Sequence, residues 1–145
     1  MTAVVQRVLG ARLSVDGKTV SEIKKGLVVF LGVGKGDNFS DCEYFIKKLP
    51  TLRIFEDENG KINRSAIDEK GEILLVSQFT LFADTSHGNR PSFLDAESPE
   101  KADELYRCVG KGLENSVAVK YGIFGVDMKI EQINDGPFTV IMQSR

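Results

Sequence analysis

The sequence predicts one α+β domain in which a mixed β-sheet, or a pair of sheets, is covered on one side by two helices. Three observations carry this. Strand-like segments outnumber helical ones and do not alternate with them one for one, which disfavours a doubly wound parallel sheet. Two pairs, Asp16-Gly17 and Asn59-Gly60, are strong hairpin signals, because both residues of such a pair tolerate positive φ. Only two segments combine helical periodicity with a start signal. At 145 residues the chain can bury a core of its own, and residues 1–145 read as a single domain without repeats or a linker.

The elements follow in order. Val4, Val5, Val8 and Leu9 flank the polar pair Gln6-Arg7, and Leu13 and Val15 then alternate with Ser14 and Asp16, as in a half-buried strand. Thr19–Ile23 is the return strand after Asp16-Gly17. Leu27–Leu31 is a continuous apolar run, suited to a strand buried on both faces. Ser40 and Glu43 have capping-box spacing; Cys42, Phe45, Ile46 and Leu49 then share one helical face, and Pro50 discourages continuation. Arg53–Glu56 resumes strand, and Glu72–Gln78 holds the buried run Ile73–Val76. Residues 83–98 read as loop. A second helix starts with Ser98 as N-cap and Pro99 in its first turn, lining its inner face with Ala102, Leu105, Val109 and Leu113. Val117–Tyr121 and Val126–Ile133 are strands, and Phe138–Met142 is a last strand after a turn at Asn134–Pro137.

Composition narrows function by exclusion. A net charge of −2 gives no broad electrostatic grip on nucleic acid, although a local basic face is compatible with it. Two cysteines, Cys42 and Cys108, make neither a disulfide framework nor, with the single His87, a usual zinc site. They read as buried thiols of a reducing compartment. No apolar run is long enough to span a membrane, and Gln6 and Arg7 interrupt the N-terminal one, so the expected address is the cytoplasm. Gly32–Asp37 lacks the spacer and the hydroxyl residue of a phosphate loop and reads as a flexible turn. His87 lies in a polar loop with no serine and acid placed around it. The pairs Lys24-Lys25 and Lys47-Lys48 read as solvated surface or as phosphate contacts, and the sequence does not decide.

Two segments interrupt otherwise clean strands with polar residues: Ser77-Gln78-Phe79-Thr80-Leu81 and Asn134-Asp135-Gly136-Pro137-Phe138-Thr139. An edge with ordinary hydroxyls and an ordinary turn explains them equally well on local grounds. Together, however, they resemble the paired motifs of the D-aminoacyl-tRNA deacylases. Gln6-Arg7-Val8, Leu31-Gly32-Val33, Arg53-Ile54-Phe55, Arg90-Pro91-Ser92-Phe93, Ser98-Pro99 and Asp127-Met128 fall in the same order, so the likeness spans the chain. Phe138 departs from it, standing where the family has a smaller β-branched residue.

The resemblance implies a three-layer ββα sandwich, a homodimer, and hydrolysis of the ester of D-aminoacyl-tRNA without metal or organic cofactor. It extends to glycine mischarged on tRNA, because an achiral residue passes a chirality filter. It implies that Gly136 and Pro137, joined by a cis peptide, enter the other subunit's pocket and reject L-amino acids. Arg7, Asn134 and Thr139 would support that turn. Ser77, Gln78, Phe79 and Thr80 would form the catalytic side, with backbone N–H groups as an oxyanion hole. Thr80 has no predictable base beside it, which favours a positioning role over a nucleophilic one. The partners implied are the aminoacylated 3′ end of tRNA and a second copy, with no membrane and no DNA. A catalytically silent RNA-binding or dimeric module, and a generic small-ester hydrolase, are the competing readings.

Overall fold

In the computed structural model, which describes residues 1–145, the chain forms one six-stranded mixed sheet, a two-stranded hairpin and two α-helices. Strand β1 (Thr2–Val15) turns through Asp16 and Gly17, both at positive φ, into β2 (Lys18–Ile23). Strand β3 (Gly26–Gly32) pairs antiparallel with the first half of β1, and β2 pairs with the second half. Strands β6 (Glu72–Ser77) and β7 (Ala118–Tyr121) extend the sheet in parallel beyond β3. The last strand, β8 (Lys129–Gln143), runs antiparallel along the other edge of β1. The small hairpin is β4 (Phe55–Glu56) and β5 (Ile62–Arg64) around Gly60.

Helices α1 (Phe39–Lys48) and α2 (Pro99–Leu113) cover one face of the sheet, burying Cys42, Phe45, Leu105, Val109 and Leu113 against Val5, Leu27, Val29, Leu31, Ile73 and Leu75. Alternation along β3 and β6 sends Val28, Leu74 and Val76 to the opposite face. There the sheet curls over itself. Leu13 of β1 and Ile23 of β2 pack on those residues, with Met128 and Ile130 closing the edge. A helical layer, a central β layer and a folded-over β layer result, as the resemblance implies. No helix is long and apolar enough to cross a membrane.

Several local expectations change. The capping box of α1 is built two residues earlier, by Asn38 and Asp41 rather than Ser40 and Glu43: Asn38 Oδ1 accepts from the Ser40 N–H and Asp41 Oδ2 from the Asn38 N–H, each at 2.9 Å. Ser98 occupies the N-cap position of α2, but its side chain makes no cap; its N–H donates to Glu97 Oε1 at 2.9 Å. Only Phe55 and Glu56 of the expected strand 53–56 pair, and Ile46 is half-buried rather than core. Val126–Met128 lie outside any strand, and the expected turn at 134–137 does not separate two strands. Instead β8 passes straight through it as a bulge.

Pairing defines that bulge. Gln6 lies opposite Thr139 and Val8 opposite Asn134, so Asp135, Gly136, Pro137 and Phe138 all face the single residue Arg7. One step on, the excess reverses: Val8 and Gly10 oppose Asn134 and Ile133, which leaves Leu9 unpaired and more than half exposed. Leu9, expected as part of the apolar run, is therefore a surface residue.

Candidate active site

The first polar motif sits at the C-terminal end of β6. Ser77 is the last strand residue, and Phe79–Phe82 form a 3-10 turn, so the segment expected as strand end leaves the sheet at Gln78. The Gln78 N–H is spent on the Leu31 carbonyl at 2.9 Å. The N–H groups of Phe79 and Thr80 open the turn, where a helical segment has no internal acceptors for its first donors. Two glycines of the apparent phosphate loop make room for the turn. A Cβ at Gly34 would lie 2.4 Å from the Phe82 ring, and one at Gly32 would lie 2.9 Å from the Gln78 carbonyl. The N–H of Gly34 is spent on Asp37 and that of Lys35 on Asp95, at 2.6 and 2.9 Å, so this loop packs the site rather than cradling phosphate.

Ser77, Gln78 and Phe79 line a cavity of about 590 Å³ with Val33, Phe93, Ala96, Met128 and Ile130. The Phe79 and Phe93 rings meet edge to face at 5.1 Å, and Phe79 remains largely exposed. Two carboxylates reach the wall. Lys101 and the Ser98 N–H hold the Glu97 carboxyl below its ordinary range, and Lys129 sits 2.7 Å from Asp127. Thr80 is exposed just outside the cavity, and its Oγ1 accepts from the Gln78 side-chain amide at 2.5 Å. An amide N–H is a donor and cannot take a proton from the hydroxyl.

The second motif is built from the opposite side of the sheet. Gly136 has φ +128°, a region that favours glycine, and a Cβ there would lie 2.8 Å from the Phe138 amide nitrogen. The Gly136–Pro137 peptide is cis, and both residues are exposed. Arg7, itself buried, holds the bulge. Its Nε donates to the Asp135 carbonyl at 3.2 Å and pairs with Asp135 Oδ2 at 3.0 Å, while its guanidinium carbon lies 5.2 Å from the centre of the Phe138 ring. Nη1 donates to the Ile54 carbonyl at 2.6 Å, tying the bulge to the segment that leads into β4. On the other side, Gln132 Nε2 donates to Asn134 Oδ1 and to Gln6 Oε1, both at 2.7 Å, and Gln6 reaches Thr139 Oγ1 at 3.4 Å.

Arg7, Asn134, Gly136, Pro137 and Thr139 thus gather in one place, and Ser77, Gln78, Phe79 and Thr80 in another. Within one chain the two places are apart. The bulge faces Arg7, which pairs with Leu27, which pairs with Ile73 of β6. That is three strand spacings, about 14 Å, with Ser77 a further four residues, about 13 Å, along β6. Sequence reasoning missed Glu97 on the cavity wall and Gln132 beside the bulge; it placed Gln6, Phe93, Asp127 and Met128 in segments that carry the resemblance but gave them no role, because their side chains converge only through the tertiary fold. No three His, Cys, Asp or Glu side chains come together to hold a metal ion. His87 is exposed between the bridge partners Asp84 and Ser92.

The two polar motifs, one at the cavity and one in the arginine-braced bulge, lie in a chain whose fold is that of a tRNA deacylase family. The family model described as D-Tyr-tRNA(Tyr) deacylase matches residues 4–143, and the chain belongs to this family. It is 53% identical over 145 residues to the D-aminoacyl-tRNA deacylase of Persephonella marina, covering 100% of this chain and 99% of that one. It is 50% identical over 147 residues to the D-aminoacyl-tRNA deacylase of Thermosipho melanesiensis, covering 100% and 98%. Among solved structures, the c-Myc DNA Unwinding Element Binding Protein is 39% identical with a TM-score of 0.94, over 100% of this chain and 99% of that chain. A probable eukaryotic D-amino acid tRNA deacylase, 18% identical with a TM-score of 0.80 over 98% of this chain and 99% of that one, shares the fold.

Proposed function

We propose that the protein is a hydrolase that cleaves the ester between a D-amino acid and the terminal ribose of tRNA, releasing the free D-amino acid and tRNA in the cytoplasm. Full-length likeness to named D-aminoacyl-tRNA deacylases supports the reaction. The observation that carries the selectivity is the exposed Gly136–Pro137 bulge, braced by Arg7 yet three strands, about 14 Å, across the sheet and about 13 Å along β6 from the cavity of its own chain. Such a rigid, outward-facing backbone element has a use if it enters the cavity of a second copy. The working unit is then a homodimer with each site completed across the interface. Backbone around Cα reads handedness without reading the side chain, so many D-amino acids fit and L-amino acids collide. Glycine, lacking Cβ, passes the same filter and is also released.

In the reaction, water adds to the ester carbonyl, and the oxyanion is met by the backbone N–H groups at the head of the 3-10 turn. The tetrahedral intermediate collapses with departure of the ribose oxygen, which takes up a proton. Thr80 positions the substrate rather than attacking it, because its one partner is the Gln78 amide and no base adjoins it. The neighbouring ribose hydroxyl of the tRNA activates the water. An ester is a reactive substrate, and orientation plus an oxyanion hole suffices.

The test is deacylation of matched D- and L-aminoacyl-tRNA by the purified protein, beside the same D substrate ending in 2′-deoxyribose. Rapid release of the D form alone, lost with the deoxy substrate, is expected. Release of neither enantiomer would sink the enzymatic reading and leave an RNA-binding module. A lone 16.0 kDa species in sedimentation would remove the cross-subunit site.

A further inference from the structure

A second cavity of about 360 Å³ lies between the C-terminal half of α2 and β7, and the ring of Phe124 lines both this cavity and the first. Its remaining aromatic walls are Tyr106 and Tyr121, whose rings stand 6.4 Å apart, with Tyr106 6.1 Å from Phe124. Both rings are anchored through their hydroxyls: Tyr106 donates to the Leu75 carbonyl at 2.8 Å and Tyr121 to Glu114 Oε1 at 2.5 Å. Two cations stand on the same lining. Lys111 makes no ion pair, and Arg107 gives its Nε to Asp103 Oδ2 at 2.8 Å while the rest of its fork stays in solvent. Glu114 is the one carboxylate on the wall, and the Tyr121 hydroxyl occupies it.

Tyr106 is buried and backs the wall, so the half-buried Tyr121 and Phe124 rings supply its aromatic surface. Aromatic surface beside exposed basic side chains is what a single-stranded nucleotide asks of a protein: a platform for the base and cations for the phosphate. We propose that this second cavity seats the nucleotide preceding the terminal adenosine of the tRNA 3′ strand, with Lys111 and Arg107 on its phosphate. This rests on the proposed function, in which the first cavity holds the terminal aminoacyl-nucleoside. Phe124, shared by both linings, then separates two successive nucleotides. It also explains how a chain of net charge −2 grips RNA: through a local contact beside the site rather than a broad basic face.

The experiment compares D-aminoacyl-tRNA with D-aminoacyl-adenosine, which lacks the preceding nucleotide, in the native protein and the Lys111→Ala/Arg107→Ala variant. The ratio of kcat/KM for the tRNA over that for the nucleoside is expected to fall about tenfold, through KM. The slope of log KM for the tRNA against log salt should flatten by about 0.7, the value for one phosphate no longer neutralised on a single strand. Glu114→Gln, which deletes the opposing charge, should raise the same ratio about twofold. An unchanged ratio with an unchanged salt slope overturns the proposal, since a merely structural role moves both substrates together. Failure of the native protein on both substrates overturns the functional reading itself, and the proposal with it.

Discussion

The two polar motifs solve opposite problems with opposite means. At the end of β6 the chain leaves the sheet early, spends the Gln78 N–H on β3, and turns so that Phe79 and Thr80 head a short helix with their side chains exposed. Nothing charged holds this segment; its place is set by glycines that let the Phe82 ring sit close. In β8 the chain instead crowds four residues opposite Arg7 and fixes them with a buried guanidinium, a carboxylate and a row of side-chain amides. The first region offers unspent donors to something that arrives. The second spends nearly every polar group internally and offers only shape. Under the proposed function the first receives an oxyanion and the second excludes an enantiomer by shape, so displacement of the second costs more.

That contrast is easiest to break at Gly136. Alanine there combines an unfavourable φ of +128° with a Cβ 2.8 Å from a backbone nitrogen, so the bulge must move. Deacylation of D-aminoacyl-tRNA should fall by about 100-fold or more, the usual consequence of displacing a site element by about 1 Å, and the remaining activity should no longer separate D from L. Parallel time courses on both enantiomers measure this. Arg7→Met comes next. It removes the donors to the Asp135 and Ile54 carbonyls and leaves the half-buried Asp135 carboxylate without its partner, which should cost about 2 kcal/mol in urea unfolding and reduce selectivity. Unchanged stability would mean that the bulge stands without its brace.

How much of this was legible in the sequence follows from the range of each interaction. Asp16-Gly17 announced its hairpin because a two-residue turn is decided by its own residues, whereas the hairpin at Asn59-Gly60 closes over residues 57–61, where Asp57 Oδ1 accepts from the Asn59 and Lys61 N–H groups. The apolar runs of β3 and β6 announced burial on both faces, which the helical layer and the folded-over β layer supply. The bulge was invisible as such. Asn134–Pro137 reads as a turn locally, and only pairing with β1, more than 120 residues away, makes it a detour within one strand. Likewise Ser40 and Glu43 satisfied the capping pattern, but Asn38 and Asp41 satisfy it too, and the buried Asp37 and Asp41 carboxylates, ion-paired to Met1 and Arg145, anchor the earlier start. The site residues were named through the likeness of two motifs; Phe93 and Met128 lay in other segments of that likeness without a role, and Gln132 carries no local signal at all.

The β6 end should respond more mildly. If Thr80 positions substrate through one hydrogen bond, Thr80→Ala lowers kcat/KM about tenfold, whereas loss of a true nucleophile costs more than about 10⁴-fold. Gln78→Ala, which removes the amide that orients the hydroxyl, should have a similar or smaller effect than Thr80→Ala and add little to it in the double variant. Single-turnover rates on D-aminoacyl-tRNA decide between the two sizes.

The smallest effect expected is at Phe138, where the two means of fixing the bulge meet. Its half-buried ring packs against the main core while Arg7 lies over its face at 5.2 Å, so it joins a steric and an electrostatic brace in one side chain. Phe138→Val keeps a β-compatible residue but deletes the stacking surface, leaving Arg7 held by its hydrogen bonds and its pairing with Asp135 and Glu56. A loss of about 0.5–1 kcal/mol of bracing corresponds to a two- to fivefold rise in L-aminoacyl-tRNA cleavage with the D rate almost unchanged. Competition assays with both enantiomers resolve a difference of that size. If L cleavage does not rise, the hydrogen bonds of Arg7 and the amide row through Gln132 hold the filter by themselves, and the aromatic ring serves the core alone.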